Sequence, residues 1–255
     1  MVYLQFLGFR YSGWQPQPGQ RTIAGMLQKT LKHIMPERTF KILGAGRTDA
    51  KVSALQMAFE LFLEDGPLDS ISDFEEQMNR NLPPDIRVLE VLPTTKDFNI
   101  IQDCSSKEYV YLFSHGEKNH PFCAPFLANI STPLNIEAMT KAARFFEGTH
   151  DFSCYTAGLK PNAQVVRTID RCELMENTLL TANFFPKKSY ALHVQGKGFM
   201  RYQIRMIMGA LILLGRNEMD MQTLTMSLQE NCSMVLPYVA PGSGLMLNKI
   251  NFGNG

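Results

Sequence analysis

Residues 2–11 are apolar and aromatic at strand length and predict a first β-strand. From Thr22 the period changes. Ile23, Leu27, Leu31 and Ile34 fall on one face of a helix that Thr22 can cap and that runs to about residue 35. Residues 40–43 and 54–62 read as strands on either side of a tight turn. Residues 70–81 read as a helix with Phe74, Met78 and Leu82 on its apolar stripe, and 86–92 return as a strand. The second half repeats the style. Residues 107–115 predict a strand, and 135–146 a helix with Ile136, Met139, Ala143 and Phe146 inward. Three strand-like runs follow at 168–176, 179–185 and 190–195. A long helix at 199–214, a shorter one at 220–229 and a last strand at 245–252 close the chain. Strands and helices in this mixed order predict an α+β fold. A soft boundary near residue 104 divides an N-terminal α+β domain, 1–104, from a C-terminal one, 105–255. With no Pro/Gly/Ser linker there, the halves are expected to pack tightly. No short-period repeat or low-complexity tract appears.

Composition narrows the class. The 255 residues allow one large domain or two modest ones, and a hydrophobic fraction of 45% is ordinary for a globular chain. Met1 leads straight into Val2-Tyr3-Leu4 with no basic segment or small-residue cleavage site, so no secretory signal is expected. The longest apolar run, 206–214, lies between Arg205 and Arg216 and is too short to span a bilayer. A buried helix is expected there instead, and no membrane partner. The five cysteines, Cys104, Cys123, Cys154, Cys172 and Cys232, show no C-x-x-C spacing. That argues against a zinc site or a disulfide framework and for buried thiols in a reducing cytoplasm. The net charge of +1 is uninformative, but its distribution is not. Residues 177–217 hold no Asp or Glu and carry Lys187, Lys188, Lys197, Arg201, Arg205 and Arg216, whereas 52–79 hold seven acids and no Lys or Arg. Such segregation can build a basic, nucleic-acid-binding face on a neutral protein, or simply two solvated faces.

The chemistry concentrates at Asp49, in the stretch Gly44-Ala45-Gly46-Arg47-Thr48-Asp49-Ala50-Lys51-Val52-Ser53-Ala54. Glycines at 44 and 46 free the backbone, and Arg47 stands two positions before the acid. A carboxylate in a tight turn beside a guanidinium suits one-carboxylate catalysis. On the residues alone, a turn-closing or capping role fits as well. There is no P-loop, no Gly-x-Gly-x-x-Gly and no His-x-x-x-His pair.

The Gly46-Arg47-Thr48-Asp49-Ala50 core resembles the catalytic signature of the TruA-type tRNA pseudouridine synthases. Further segments resemble the same family in the same order. They are Tyr11-Ser12-Gly13-Trp14-Gln15, Thr22-Ile23-Ala24-Gly25, Asn81-Leu82-Pro83-Pro84-Asp85-Ile86 and Lys107-Glu108-Tyr109-Val110-Tyr111, then Gly148-Thr149-His150-Asp151-Phe152, residues 199–209 and Ala240-Pro241-Gly242-Ser243-Gly244-Leu245. The resemblance spans nearly the whole chain. It implies the pseudouridine synthase fold, two mixed α/β halves with antiparallel sheets and a catalytic cleft between them. It also implies no cofactor and no metal, and a homodimer that binds tRNA across both subunits. The implied targets are uridines on the 3′ side of the anticodon stem-loop.

By the same resemblance Asp49 is the essential carboxylate, as nucleophile or as base, with Arg47 holding it and filling space beside the extruded nucleotide. Tyr109 maps to the active-site tyrosine, able to stack on uracil and to transfer a proton. Arg205 maps to a basic residue near the carboxylate, and Leu245 to an apolar position lining the pocket. Arg201, four residues before Arg205, is expected on the same helix face. Lys187, Lys188 and Arg201 are candidate phosphate contacts. Tyr111 is assigned to the core, on the other side of the strand from Tyr109. His150 and Asp151 look like a catalytic pair, but in this family the segment shapes the RNA-binding cleft. Trp14 is expected to pack rather than to stack on a base.

The chain departs from the family pattern twice. Lys51-Val52-Ser53 replaces the usual Gly-Val-His, and Asn99-Ile100-Ile101-Gln102 replaces the usual His-Ala-Arg-Phe, so that a usual arginine is Ile101. Two alternatives therefore stand beside the enzyme reading. One is a catalytically weak paralogue that binds RNA as a folding chaperone. The other is the same enzyme class with different target uridines.

Overall fold

The periodicities resolve into a mixed α+β fold in the computed structural model, which describes residues 1–159, 163–230, 232 and 234–253. The chain divides into two units, Met1–Ser105 with Met246–Gly255, and Ser106–Leu245.

In the first unit, β1 (Val2–Phe6) lies between β4 (Ile86–Val91) and the long β3 (Ser53–Leu63), antiparallel to both. Val2 pairs with Phe59 and with Val91. β2 (Phe40–Gly44) pairs antiparallel with the far end of β3, placing Gly44 opposite Phe59. α1 (Ile23–Ile34) and α2 (Ile71–Asn81) start as polar caps dictate. The Thr22 hydroxyl accepts from the Gly25 N–H, and the Ser70 hydroxyl from the Asp73 N–H. Their apolar stripes are buried through Ile23, Leu27 and Leu31 and through Phe74 and Met78. The last strand, which follows the second unit in sequence, belongs with the first because Met246 and Leu247 pair in parallel with Ser53 and Ala54.

In the second unit, β5 (Cys104–His115), β10 (Tyr190–Gly196) and β9 (Arg171–Glu176) form an antiparallel sheet, with β6 (Ala128–Ile130) parallel to β5. A separate antiparallel pair joins β7 (Gly148–Asp151) to β8 (Val166–Ile169). α3 (Ile136–Ala143) packs against α4 (Gln203–Gly215), and α5 (Met221–Met226) follows. α4 is the buried helix expected from its apolar run. Every residue of it except Arg205 is buried. Burial of side chains such as Ile207, Leu211 and Ile212 contributes roughly 2 kcal/mol each. β11 (Leu245–Phe252) ends the fold. Among the described residues no helix is long and apolar enough to cross a membrane.

Several elements differ from expectation for identifiable reasons. The strand expected to reach residue 11 stops at Phe6, where Gly8–Arg10 form a 3-10 turn. Gly8 there lies against Val52, and a Cβ on it would sit 1.8 Å from the Val52 carbonyl oxygen. The run 168–176 is two strands, broken at Asp170, whose N–H donates to the Gln195 carbonyl. Residues 179–185 are not a strand. The Asn177 carboxamide accepts from the N–H groups of Leu179 and Leu180 and donates to the Leu180 carbonyl, which curls the chain. The helix expected from 199 begins at Gln203, because Tyr202 adopts the left-handed region at φ +65°. The helix expected over 220–229 spans Met221–Met226. β6 is only three residues long and β7 holds no apolar side chain, so neither registers as a strand in the sequence.

Candidate active site

The turn that carries Asp49 is seated on the segment joining β1 to α1. The Trp14 N–H donates to the Thr48 carbonyl (3.1 Å), and the Lys51 N–H donates to the Tyr11 carbonyl (3.0 Å). Within the turn, the Val52 N–H donates to the Asp49 carbonyl (3.2 Å). Gly13, at φ +94°, allows this approach, since a Cβ on it would lie 2.5 Å from the Thr48 carbonyl oxygen. Asp49 is half-buried at the rim of the turn, Thr48 is buried, and Arg47 is exposed. Trp14 is buried, as expected for a packing residue. Its indole lies where a Cβ on Gly44 would be, so Gly44 supplies space rather than an unusual φ.

Sequence reasoning missed Asp85. Its side chain is 8% exposed and receives the Tyr11 hydroxyl at 2.6 Å and Arg10 at 3.1 Å (Nε) and 2.7 Å (Nη2). Arg21 lies 3.7 Å from the same carboxylate and stacks over the Tyr11 ring at 4.8 Å. Burial pushes the Asp85 carboxyl up, but the Tyr11 hydroxyl and Arg10 guanidinium outweigh it and hold it below the usual carboxylate range. Tyr11 is pushed up to about 12, first by burial and then by its bond to Asp85. The motif around Asp85 was visible in the sequence. Its partners, 74 and 75 residues away, were not.

In the second unit, Tyr109 pairs across the sheet with Val194, and its half-buried ring meets Phe199 edge-on at 5.4 Å. Tyr111 is fully buried, with its hydroxyl donating to the Pro241 carbonyl at 2.8 Å. The register from 107 to 113 is unbroken, so Tyr109 and Tyr111 share one face of β5. Tyr111 is therefore core by its place along the strand, not by facing the other side.

Ala240 and Tyr202 hold Arg205. Its Nε donates to the Ala240 carbonyl (2.8 Å), its own carbonyl accepts the Ala240 N–H (3.1 Å), and its guanidinium lies 4.7 Å from the Tyr202 ring centre. Arg201 precedes the helix instead of sharing its face. The structure still brings it beside Arg205, because its guanidinium lies over the same Tyr202 ring at 4.9 Å. Two cations on the ring of one left-handed residue make a compact basic feature. Leu245 is buried at the head of β11. Lys187 and Lys188 are exposed, in the connection that follows Asn177. His150 and Asp151 do not form a pair. The imidazole Nε2 hydrogen-bonds the Glu147 carbonyl (2.7 Å), and the Asp151 carboxylate accepts the Ser153 N–H (2.7 Å).

The two departures have different structural weight. Lys51 sits at φ +66°, where glycine would be unstrained, and keeps its ammonium 5.7 Å from the Phe9 ring centre. Ile101 is 55% exposed in a turn closed by Asn99, whose side chain accepts the N–H groups of Ile101 and Gln102.

Residues 142–253 match a family model described as tRNA pseudouridine synthase. The chain is similar to the tRNA pseudouridine synthase A of Thermosipho melanesiensis, with 33% identity over 98% of each chain. It is 28% identical to that of a Geobacillus species, over 98% of this chain and 97% of the relative. It is 29% identical to that of Staphylococcus aureus, over 98% of this chain and 90% of the relative.

Proposed function

The chain belongs to the family of TruA-type tRNA pseudouridine synthases, and from that premise we propose that it isomerises uridine to pseudouridine on the 3′ side of the tRNA anticodon stem-loop, with Asp49 as the essential carboxylate. The observation that carries this reading is the seating of the Gly-Arg-Thr-Asp-Ala turn. Backbone hydrogen bonds on both sides of Asp49 hold the main chain from which its carboxylate projects, which supports the reading.

The reaction breaks the bond from uracil N1 to ribose C1′ and makes one from C5 to C1′. The C5 hydrogen leaves as a proton and N1 ends protonated, so substrate and product are isomers and no electron acceptor is consumed. Asp49 must be ionised, whether it attacks C1′ or takes a proton from the ribose. A stem uridine has to leave its stack first, at a cost of a few kcal/mol. Exposed Arg47 is suited to occupy the space that the base leaves and to meet its phosphate.

Tyr109 is assigned to stack on the extruded uracil and to pass the proton that C5 gives up, its ring steadied by Phe199. Arg205, pinned by Ala240 and Tyr202, supplies fixed positive charge for a reaction that develops negative charge on the base. Leu245 is assigned to the pocket wall. Lys187, Lys188 and Arg201 are assigned to RNA phosphates, and a homodimer acting in the cytoplasm completes the proposal.

The test is incubation of the purified protein with unmodified tRNA transcripts, followed by mapping of pseudouridine by position. Modification confined to the 3′ side of the anticodon stem-loop is expected. Modification elsewhere would overturn the target assignment, and none at all would overturn the activity.

A further inference from the structure

We infer that Asp85 is a positioning residue for Asp49, acting through Tyr11 and the turn on which the Asp49 loop is seated. The inference rests on reading Asp49 as the essential carboxylate.

Asp85 grips the segment on which the Asp49 turn is seated. Its backbone carbonyl accepts the Leu7 N–H (2.9 Å), and its carboxylate takes the Tyr11 hydroxyl (2.6 Å) and Arg10. One residue thus holds both ends of the short 7–11 segment, which contains the Gly8–Arg10 turn. The same segment seats the Asp49 loop. The Gly8 N–H donates to the Ser53 hydroxyl (2.9 Å), and the Tyr11 carbonyl accepts the Lys51 N–H (3.0 Å). Two residues on, Gly13 and Trp14 meet the Thr48 carbonyl. From the Asp85 carboxylate to the Asp49 turn there are two links, the Tyr11 side chain and the Tyr11 carbonyl.

The two partners of Asp85 are not equivalent. The Arg10 side chain is 59% exposed, and an exposed ion pair contributes little. Tyr11 is 2% exposed, and its hydroxyl donates a short, charge-assisted bond to Asp85 while accepting a longer one from Arg21 Nη2 at 3.1 Å. If the bond to Asp85 is lost, Arg21 cannot replace it, because a guanidinium only donates; the hydroxyl must find another acceptor and the 11–14 segment moves with it. Placement errors approaching 1 Å in a catalytic group cost on the order of a hundredfold in rate.

The experiment measures the maximal single-turnover rate of pseudouridine formation at saturating enzyme, with tRNA affinity and thermal midpoint measured alongside. Tyr11→Phe and Asp85→Ala are expected to slow the rate by about tenfold or more, with affinity within about twofold of wild type. Asp85→Asn keeps an oxygen for the Tyr11 hydroxyl and is expected to recover most of the loss. Arg10→Ala is expected to leave the rate unchanged. A merely structural role would lower the thermal midpoint and leave the rate of the folded enzyme at wild type, which would overturn the inference. Should Asp85→Ala fail to fold, Tyr11→Phe, which removes a single oxygen, decides on the same criterion. Asp49→Asn is run in parallel. If it turns over, the reading of Asp49 falls. If it is inactive while Tyr11→Phe and Asp85→Ala run at wild-type rate, only the positioning inference falls.

Discussion

Replacing Gly13 by alanine pushes directly on the Asp49 turn. The added methyl would sit 2.5 Å from the Thr48 carbonyl oxygen and 3.1 Å from the Asp49 carbonyl carbon. Carbon-to-carbonyl-oxygen distances settle near about 3.3 Å, so the Thr48–Asp49 peptide must retreat by about 0.8 Å. That movement strains the Trp14 N–H bond to the Thr48 carbonyl, a loss of about 1 kcal/mol. Alanine at φ +94° adds about 1–2 kcal/mol of backbone strain. Together these lower the thermal midpoint by roughly 5–10 °C in a chain of this size. The displacement slows single-turnover chemistry by on the order of tenfold to a hundredfold. Gly19→Ala separates strain from displacement. Gly19 also has positive φ (+69°), but a Cβ there would meet nothing within 4 Å. It should lose about 1 kcal/mol of stability and no rate. Differential scanning fluorimetry and single-turnover assays on an anticodon stem-loop read both effects. Wild-type rate in Gly13→Ala, or equal slowing in Gly19→Ala, would refute the claim that this close approach sets the position of Asp49.

Three further outcomes are expected. Tyr109→Phe keeps the ring on Phe199 and removes only the hydroxyl. Single-turnover rate should fall on the order of a hundredfold with tRNA affinity unchanged, and equal rates would rule out proton transfer by Tyr109. Replacing exposed Lys187 and Lys188 together by alanine should weaken tRNA binding and flatten the slope of log affinity against log salt by up to about two. An unchanged slope would show that this pair faces away from the RNA. At Lys51, whose φ is +66°, Lys51→Val should cost about 1–2 kcal/mol, because β-branched residues tolerate that region least, while Lys51→Gly should be neutral within about 0.5 kcal/mol. Equal melting of the two variants would refute that account of the turn.

What was legible in the sequence was what depends on neighbours along the chain. Thr22 announced its helix because a cap bonds only three residues ahead. The buried character of α4 was written in an apolar run between two arginines. Local chemistry also misled. The 179–185 run has strand composition, but one carboxamide at Asn177 bends it, and propensity does not register a single side-chain bond. The left-handed Tyr202 moved the start of α4 and took Arg201 off the helix, yet its ring gathered Arg201 and Arg205 by a route that periodicity cannot foresee. The similar segments marked Asp49, Tyr109 and Arg205 as candidates, but not what holds them. The Ala240 carbonyl on Arg205 and the Asp85 clamp on Tyr11 join residues 35 and 74 positions apart, and only the folded chain brings them together.

The central claim is that a carboxylate at position 49 performs the isomerisation. Asp49→Asn keeps the shape of the side chain and removes its charge and basicity. The direct measurement is single-turnover pseudouridine formation by this variant on purified tRNA at saturating enzyme, with melting and tRNA binding checked on the same preparation. The account predicts no detectable pseudouridine, together with a near-wild-type thermal midpoint and tRNA affinity. Turnover close to wild type by a folded, tRNA-bound Asp49→Asn protein would contradict it.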